Sequence, residues 1–186
     1  ASLPVPPPLP SANDLGYEPM SLSIEPGERS AQKRLHRFVE GPIHSYITGR
    51  NLPAVDGSSI LSPHFRFGTL SARAAVHTAL ASLAQGRHVS RPDVFAWIDE
   101  LVWREFFQQI LAAFPRVVDG PFRQVPAPPP RAPGAERDRL YQAWCEGKTG
   151  FPIVDAGMRQ LNQTGWMHNR VRMIVASFLV KDLRID

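Results

Sequence analysis

The sequence predicts an all-α domain, and three features carry that expectation. Apolar residues recur at helical spacing through six segments, strand-like alternation is scarce, and proline concentrates in stretches outside those segments. Five of the 19 prolines fall in residues 1–10 and six lie between Pro121 and Pro133. With 186 residues, 43% of them apolar and 20% charged, the chain is long enough to bury a core and is neither disordered nor fibrous.

Taken in order, residues 1–25 read as a proline-rich interdomain linker. Residues 26–186 read as a partial helical domain, interrupted by a proline-rich surface loop at 121–135. Glu28 to Tyr46 carries Leu35, Phe38 and Val39, with Ile43 beyond, and is expected as one helix. Ser71 is placed to cap an alanine-rich helix running to Leu83. Pro92 suits the first turn of a long helix to Phe114, whose stripe is Val94, Trp97, Ile98, Leu101, Val102 and Phe106. Helices follow at Glu136 to Gly147 and Pro152 to Gln163, closed near Gly147 and Gly165, and a last one runs from Arg170 to Leu183.

Several function classes fall away on composition. No run approaches the roughly 18 apolar residues of a membrane span, so no membrane partner is expected. The opening ASLPVPPPLP is not a secretory signal. A single Cys145 excludes a disulfide framework and a cysteine-built metal cluster, which points to a reducing, cytoplasmic setting. No two of the six histidines stand at i, i+4, so no metal is expected. Dinucleotide and phosphate-loop fingerprints are absent, as is a nucleophile elbow. The net charge of +4 and pI near 9.7 permit a polyanionic partner. From Ala156 to Lys181 there is no acid, while Arg159, Arg170, Arg172 and Lys181 fall there; a solvated basic face fits as well as an anion site.

Three constellations have chemical content. Glu100, Trp103 and Arg104 stand at i, i+3 and i+4 of a helix, suited to a planar, hydrogen-bonding ligand or to a half-buried tryptophan beside an ion pair. Asn169, Arg172 and Met173 repeat that spacing if a helix begins near His168, with Arg170 pointing elsewhere. There an amide, a guanidinium and a thioether suit a flat anionic ligand, or else cap a helix with a basic face and a core methionine. Gly165 just before that helix could let a phosphate reach backbone N–H groups. Asp56-Gly57-Ser58-Ser59-Ile60-Leu61-Ser62-Pro63 is a turn with hydroxyls, a phosphate cradle or an ordinary capped loop.

At these residues a resemblance emerges. GKTGFPIVDAGMRQLNQTGWMHNRVRMIVASFLVKDLRID, with GERSAQKRLHRF, SSILSPHFRFGTLSAR and ELVWREFF, closely resembles the helical FAD-binding domain of DNA photolyases and cryptochromes, over nearly the whole chain. The resemblance implies light-dependent repair of ultraviolet-damaged DNA, in which reduced FAD (FADH−) passes an electron to a flipped-out cyclobutane pyrimidine dimer. It implies a carbon–carbon lyase, with a flavin-based photoreceptor or a flavin-free DNA-binding fragment as alternatives. Carried over by motif, Tyr46, Ser58, Ser59, Ile60, Leu61 and Ser62 bind the flavin's phosphate side, with Ser58 where threonine is usual. Arg104 stands near the pocket floor, Asn169 beside the flavin ring, and Arg172 in an ion pair across it. Glu100 hydrogen-bonds the dimer, Trp103 stacks on the flipped bases, and Met173 faces the lesion. Arg50 and Arg170 meet the DNA backbone. Met-His-Asn-Arg-Val-Arg-Met looks like the class I cyclobutane-dimer version. The family pattern continues past Asp186 with relay tryptophans and flavin-holding aspartates, and begins with an α/β domain carrying a folate or deazaflavin antenna. The 186 residues are therefore expected to hold a half-built flavin pocket, to bind FAD weakly or not at all alone, and to be inactive in isolation.

Overall fold

The computed structural model describes residues 9–17, 24–84, 90–123 and 134–185. Among these residues there are eight α-helices and no strand, the all-α architecture that the periodicity predicts. They build two hydrophobic cores, one on either side of the proline-rich stretch.

The first core rests on α1 (Glu28–Glu40), α2 (Tyr46–Gly49), α3 (Ser62–Arg66), α4 (Ala72–Ser82) and α5 (Arg91–Ala113). On α1, Ala31, Leu35 and Phe38 stand at i, i+4 and i+7 and are buried. The single helix expected over Glu28 to Tyr46 is broken instead. Gly41 caps α1 through its N–H to the Phe38 carbonyl, and Pro42, which has no N–H to continue the ladder, opens a 3-10 turn over Pro42–Ser45. This break turns Tyr46 back across the core, where Phe38 packs between Tyr46 and Trp97 at ring-centroid distances of 6.1 and 5.3 Å.

Ser71 holds the N-cap position of α4, but its side chain makes no capping bond. Ser90 does cap α5, accepting from the Asp93 N–H, with Pro92 in the first turn. Asp93 has a second task, because its Oδ1 accepts from the Ile47 N–H at 2.7 Å and so fixes α2 on α5. The expected stripe along α5 is buried only at its start. Val94, Trp97 and Leu101 are buried, whereas Val102 and Phe106 are exposed.

The second core packs α7 (Pro152–Thr164) and α8 (Asn169–Ser177) beneath α6 (Gly134–Glu146). Gly157 lets α7 and α8 touch, since a Cβ there would lie 2.5 Å from Val171 Cγ1. Trp144 Nε1 donates to the Val175 carbonyl at 3.1 Å and pins α6 to α8. Asp155 accepts from the Thr149 N–H and hydroxyl and the Gly150 N–H, which ties the turn before α7 to its first turn. Burial pushes the Asp155 carboxyl up, but these bonds and Arg159 together hold it below the usual carboxylate range. The last helix differs from expectation too: α8 ends at Ser177 and a π-helical turn follows over Phe178–Asp182.

Of the expected linker, residues 1–8 and 18–23 lie outside the described residues, and Asn13–Leu15 forms one 3-10 turn. Of the expected loop at 121–135, residues 124–133 lie outside them, and Gly134 and Ala135 already belong to α6.

Candidate functional site

A cavity of about 760 Å³ is lined from both cores, within the size range of small-molecule and cofactor sites. Its walls come from α2, the loop into α3, one flank of α5, and the start of α8.

The loop wall is Ser58 to Ser62, all of which line the cavity. Its position is set by a glycine pair: a Cβ on Gly57 would fall 2.5 Å from the Gly49 carbonyl carbon, so only glycine lets this loop lie on the end of α2. Ile60 takes a left-handed φ of 50°, followed by Leu61 at φ −94° and ψ −2°. Alternating hand turns successive N–H groups to one side. None of the N–H groups from Ser58 to Ser62 donates to another described residue. A β-branched residue in this region costs about 1–3 kcal/mol and persists only where its surroundings enforce it.

The α5 wall presents Trp97, Glu100, Leu101, Arg104 and Gln108. Arg50 Nη1 donates to Glu100 Oε1 at 2.6 Å, and its guanidinium lies over the Tyr46 ring at 5.4 Å. Burial, reinforced by the Glu100 charge, pushes the Tyr46 hydroxyl up to about 12, so it stays a hydrogen-bond donor at any working pH. Arg104 donates to Glu105 and, at 3.4 Å, to the Phe65 carbonyl. With its amide oxygen turned inward, Gln108 accepts from both Arg104 terminal nitrogens at 2.9 and 3.1 Å.

The α8 wall presents Asn169, Arg170, Arg172 and Met173. His168 caps this helix, its Nδ1 accepting from the Arg170 N–H at 3.2 Å. Burial, with the Arg170 charge behind it, lowers the His168 pKa and keeps the ring neutral, the form that can accept. The side chains of Asn169 and Arg172 make no hydrogen bond or ion pair with a described residue, and Met173 is 57% exposed.

The structure therefore brings together Tyr46, Arg50, Ser58 to Ser62, Glu100, Arg104, Asn169, Arg170, Arg172 and Met173. Four expectations change. Trp103 is not among the lining residues; it is 54% exposed and packs edge-on to Phe106. Arg170, expected to point elsewhere, lines the same cavity. Gly165 offers no free N–H, because it caps α7 at φ 70° by donating to the Leu161 carbonyl at 2.8 Å. The core methionine is Met167, 3% exposed, rather than Met173. Sequence reasoning missed Gln108, Trp166 and His168 as lining residues. Gln108 continues the i, i+4 series from Glu100 and Arg104, a signal that was available; His168 gave none.

Comparison with known proteins decides the family. Residues 97–186 match the FAD-binding domain of DNA photolyase. The chain is 46% identical over 96% of its length to the deoxyribodipyrimidine photo-lyase of Synechococcus, and 45% identical over 86% to that of Escherichia coli. The chain belongs to the DNA photolyase family. Among solved structures it superposes on a class III photolyase from Agrobacterium tumefaciens at a TM-score of 0.77 and 42% identity, over 87% of this chain and 32% of that one. A Synechocystis cryptochrome gives a TM-score of 0.82 at 30% identity, over 95% and 37%. The chain spans 37% of the Synechococcus photolyase and 33% of the Escherichia coli one.

The photolyase cofactor, FAD, suits the donors present. One wall is formed by residues carrying five N–H groups and three serine hydroxyls, the other by the Arg172 guanidinium, none of them with a partner among the described residues. That donor set matches a dinucleotide with a pyrophosphate and a polar ring edge. Among the described residues no helix is long and apolar enough to cross a membrane.

Proposed function

We propose that this chain forms the flavin and lesion cavity of a light-dependent deoxyribodipyrimidine photo-lyase. The observation that carries the reading is the pairing, across one cavity, of the uncommitted Ser58–Ser62 backbone with the unpartnered Asn169, Arg172 and Met173. Ser58, Ser59 and Ser62 would hold the pyrophosphate through hydroxyls and N–H groups, with Tyr46 donating beside them. Asn169, Arg172 and Arg104 would hold the ring. When bound, reduced FAD supplies the electron that splits the pyrimidine dimer.

The remaining chemistry belongs to the chain. Glu100 Oε2 has no partner among the described residues while Arg50 takes Oε1, so one carboxylate oxygen remains to accept from a base N–H. Met173 gives that base a polarizable wall. Arg50 and Arg170 supply charge for the DNA backbone. The class I assignment, the cyclobutane dimer as lesion, an antenna pigment and an intracellular location belong to the same proposal. The first two are supported by the motif Met-His-Asn-Arg-Val-Arg-Met and by relatives bearing the photo-lyase name. The cryptochrome likeness favours a second reading, a blue-light receptor that keeps the flavin and performs no repair.

Titration with FAD, followed by blue-light turnover of ultraviolet-irradiated DNA with the flavin chemically reduced, tests the reading. Arg172→Ala should weaken FAD binding about tenfold or more. Glu100→Ala should lower repair yield more than DNA affinity. FAD retention without repair would leave the receptor, and no FAD binding by the full-length protein that carries these residues would overturn both.

A further inference from the structure

Arg170 is the second residue of α8 and is exposed, yet its guanidinium is held. Nε and Nη2 donate to Asn51 Oδ1 at 2.9 and 2.6 Å, across 119 positions of sequence. The orientation of the Asn51 amide is settled by its other end, because Nδ2 donates to the Ile47 carbonyl at 2.7 Å. The Ile47 N–H is in turn held by Asp93. A continuous run of bonds therefore leads from the first turn of α5, through α2 and Asn51, to the α8 arginine.

The edge that Asn51 occupies matters. A guanidinium has five N–H donors in a fixed plane. Gripped along its Nε side, it keeps the Nη1 side, and three donors, for another acceptor. The holder is also a neutral amide. It orders the arginine without cancelling its charge, whereas a carboxylate at the same place would form an ion pair and compete with any anion. Arg50 shows the contrast, since its partner is the charged Glu100.

We propose that Asn51 is a positioning residue for DNA phosphate, holding Arg170 so that its Nη1 side meets a phosphodiester oxygen at the cavity rim. This rests on the reading of Arg170 as a DNA-backbone contact. The rotamer freedom of Arg170 is surrendered before DNA arrives, so it is not lost on binding.

The test is duplex affinity of the full chain across a salt series, with irradiated and plain DNA, for N51A, N51D, R170A and the double variant N51A/R170A. N51A should lose about two- to tenfold in affinity with an unchanged salt slope, because the number of cations at the DNA is the same. R170A should flatten the slope by about one unit. N51D should lose affinity and flatten the slope together. The double variant should match R170A alone. If R170A flattens the slope but N51A binds like the parent, or if the two losses simply add, Asn51 does not act through Arg170. If R170A changes neither affinity nor slope, the DNA reading of Arg170 fails and the proposal fails with it.

Discussion

Ile60 and Gly57 set the loop wall by opposite means. At Ile60 the chain accepts a strained φ of 50° on a β-branched residue, inside a stretch of the cavity wall whose N–H groups donate to no described residue. At Gly57 it removes a side chain so that two backbones can touch. Gly57→Ala should cost about 1–3 kcal/mol in urea unfolding and weaken FAD binding, while Gly120→Ala, with nothing within 4 Å of its Cβ, should change neither. An unchanged FAD affinity in Gly57→Ala would show that the loop does not bind the cofactor. The serine hydroxyls were legible in the sequence. The left-handed isoleucine was not, because its residue type argues for extended backbone. Trp103 shows another limit. Residues advance about 100° each on a helix, so i+3 and i+4 straddle the reference direction. Trp97, Arg104 and Gln108 fall on one side of Glu100, and Trp103 on the other.

At the scale of elements, α8 depends on a neutral imidazole at its start. His168 has a depressed folded pKa, for which burial is the first cause. Above the ordinary value of 6.5 both folded and unfolded rings are neutral and the cap is intact. As pH falls below that value the unfolded ring takes a proton that the folded ring resists, so stability declines until pH passes the folded pKa. His64, also lowered by burial and then by Arg34, acts in the same direction. Unfolding free energy should therefore drop as pH falls through 6.5. In His168→Asn, which can still cap a helix, part of that drop should vanish. An identical pH dependence in the variant would assign the whole effect elsewhere. Helix existence and order were legible from periodicity, whereas the break at Gly41-Pro42 and the π turn after Ser177 were not, since tertiary packing sets where a helix stops.

For the whole molecule, the family resemblance in the sequence and the fold agree, and residues from four separate stretches meet at one cavity. What the sequence hid is the partnering of its cations. Arg50 lies 50 positions from Glu100 and Arg170 lies 119 from Asn51, distances no local pattern spans. The two cores also have consequences beyond the site. No buried residue belongs to both, and the two are expected to open with different free energies. Amides of α7 and α8 should exchange with deuterated solvent on a different timescale from those of α1 and α5. A ligand touching both sides would couple the two openings. Adding FAD should slow exchange at Val175 together with Leu101, although the two belong to different cores, and unaltered exchange at either would place the ligand on one core only. Occupancy would then be read as cooperativity between the two cores.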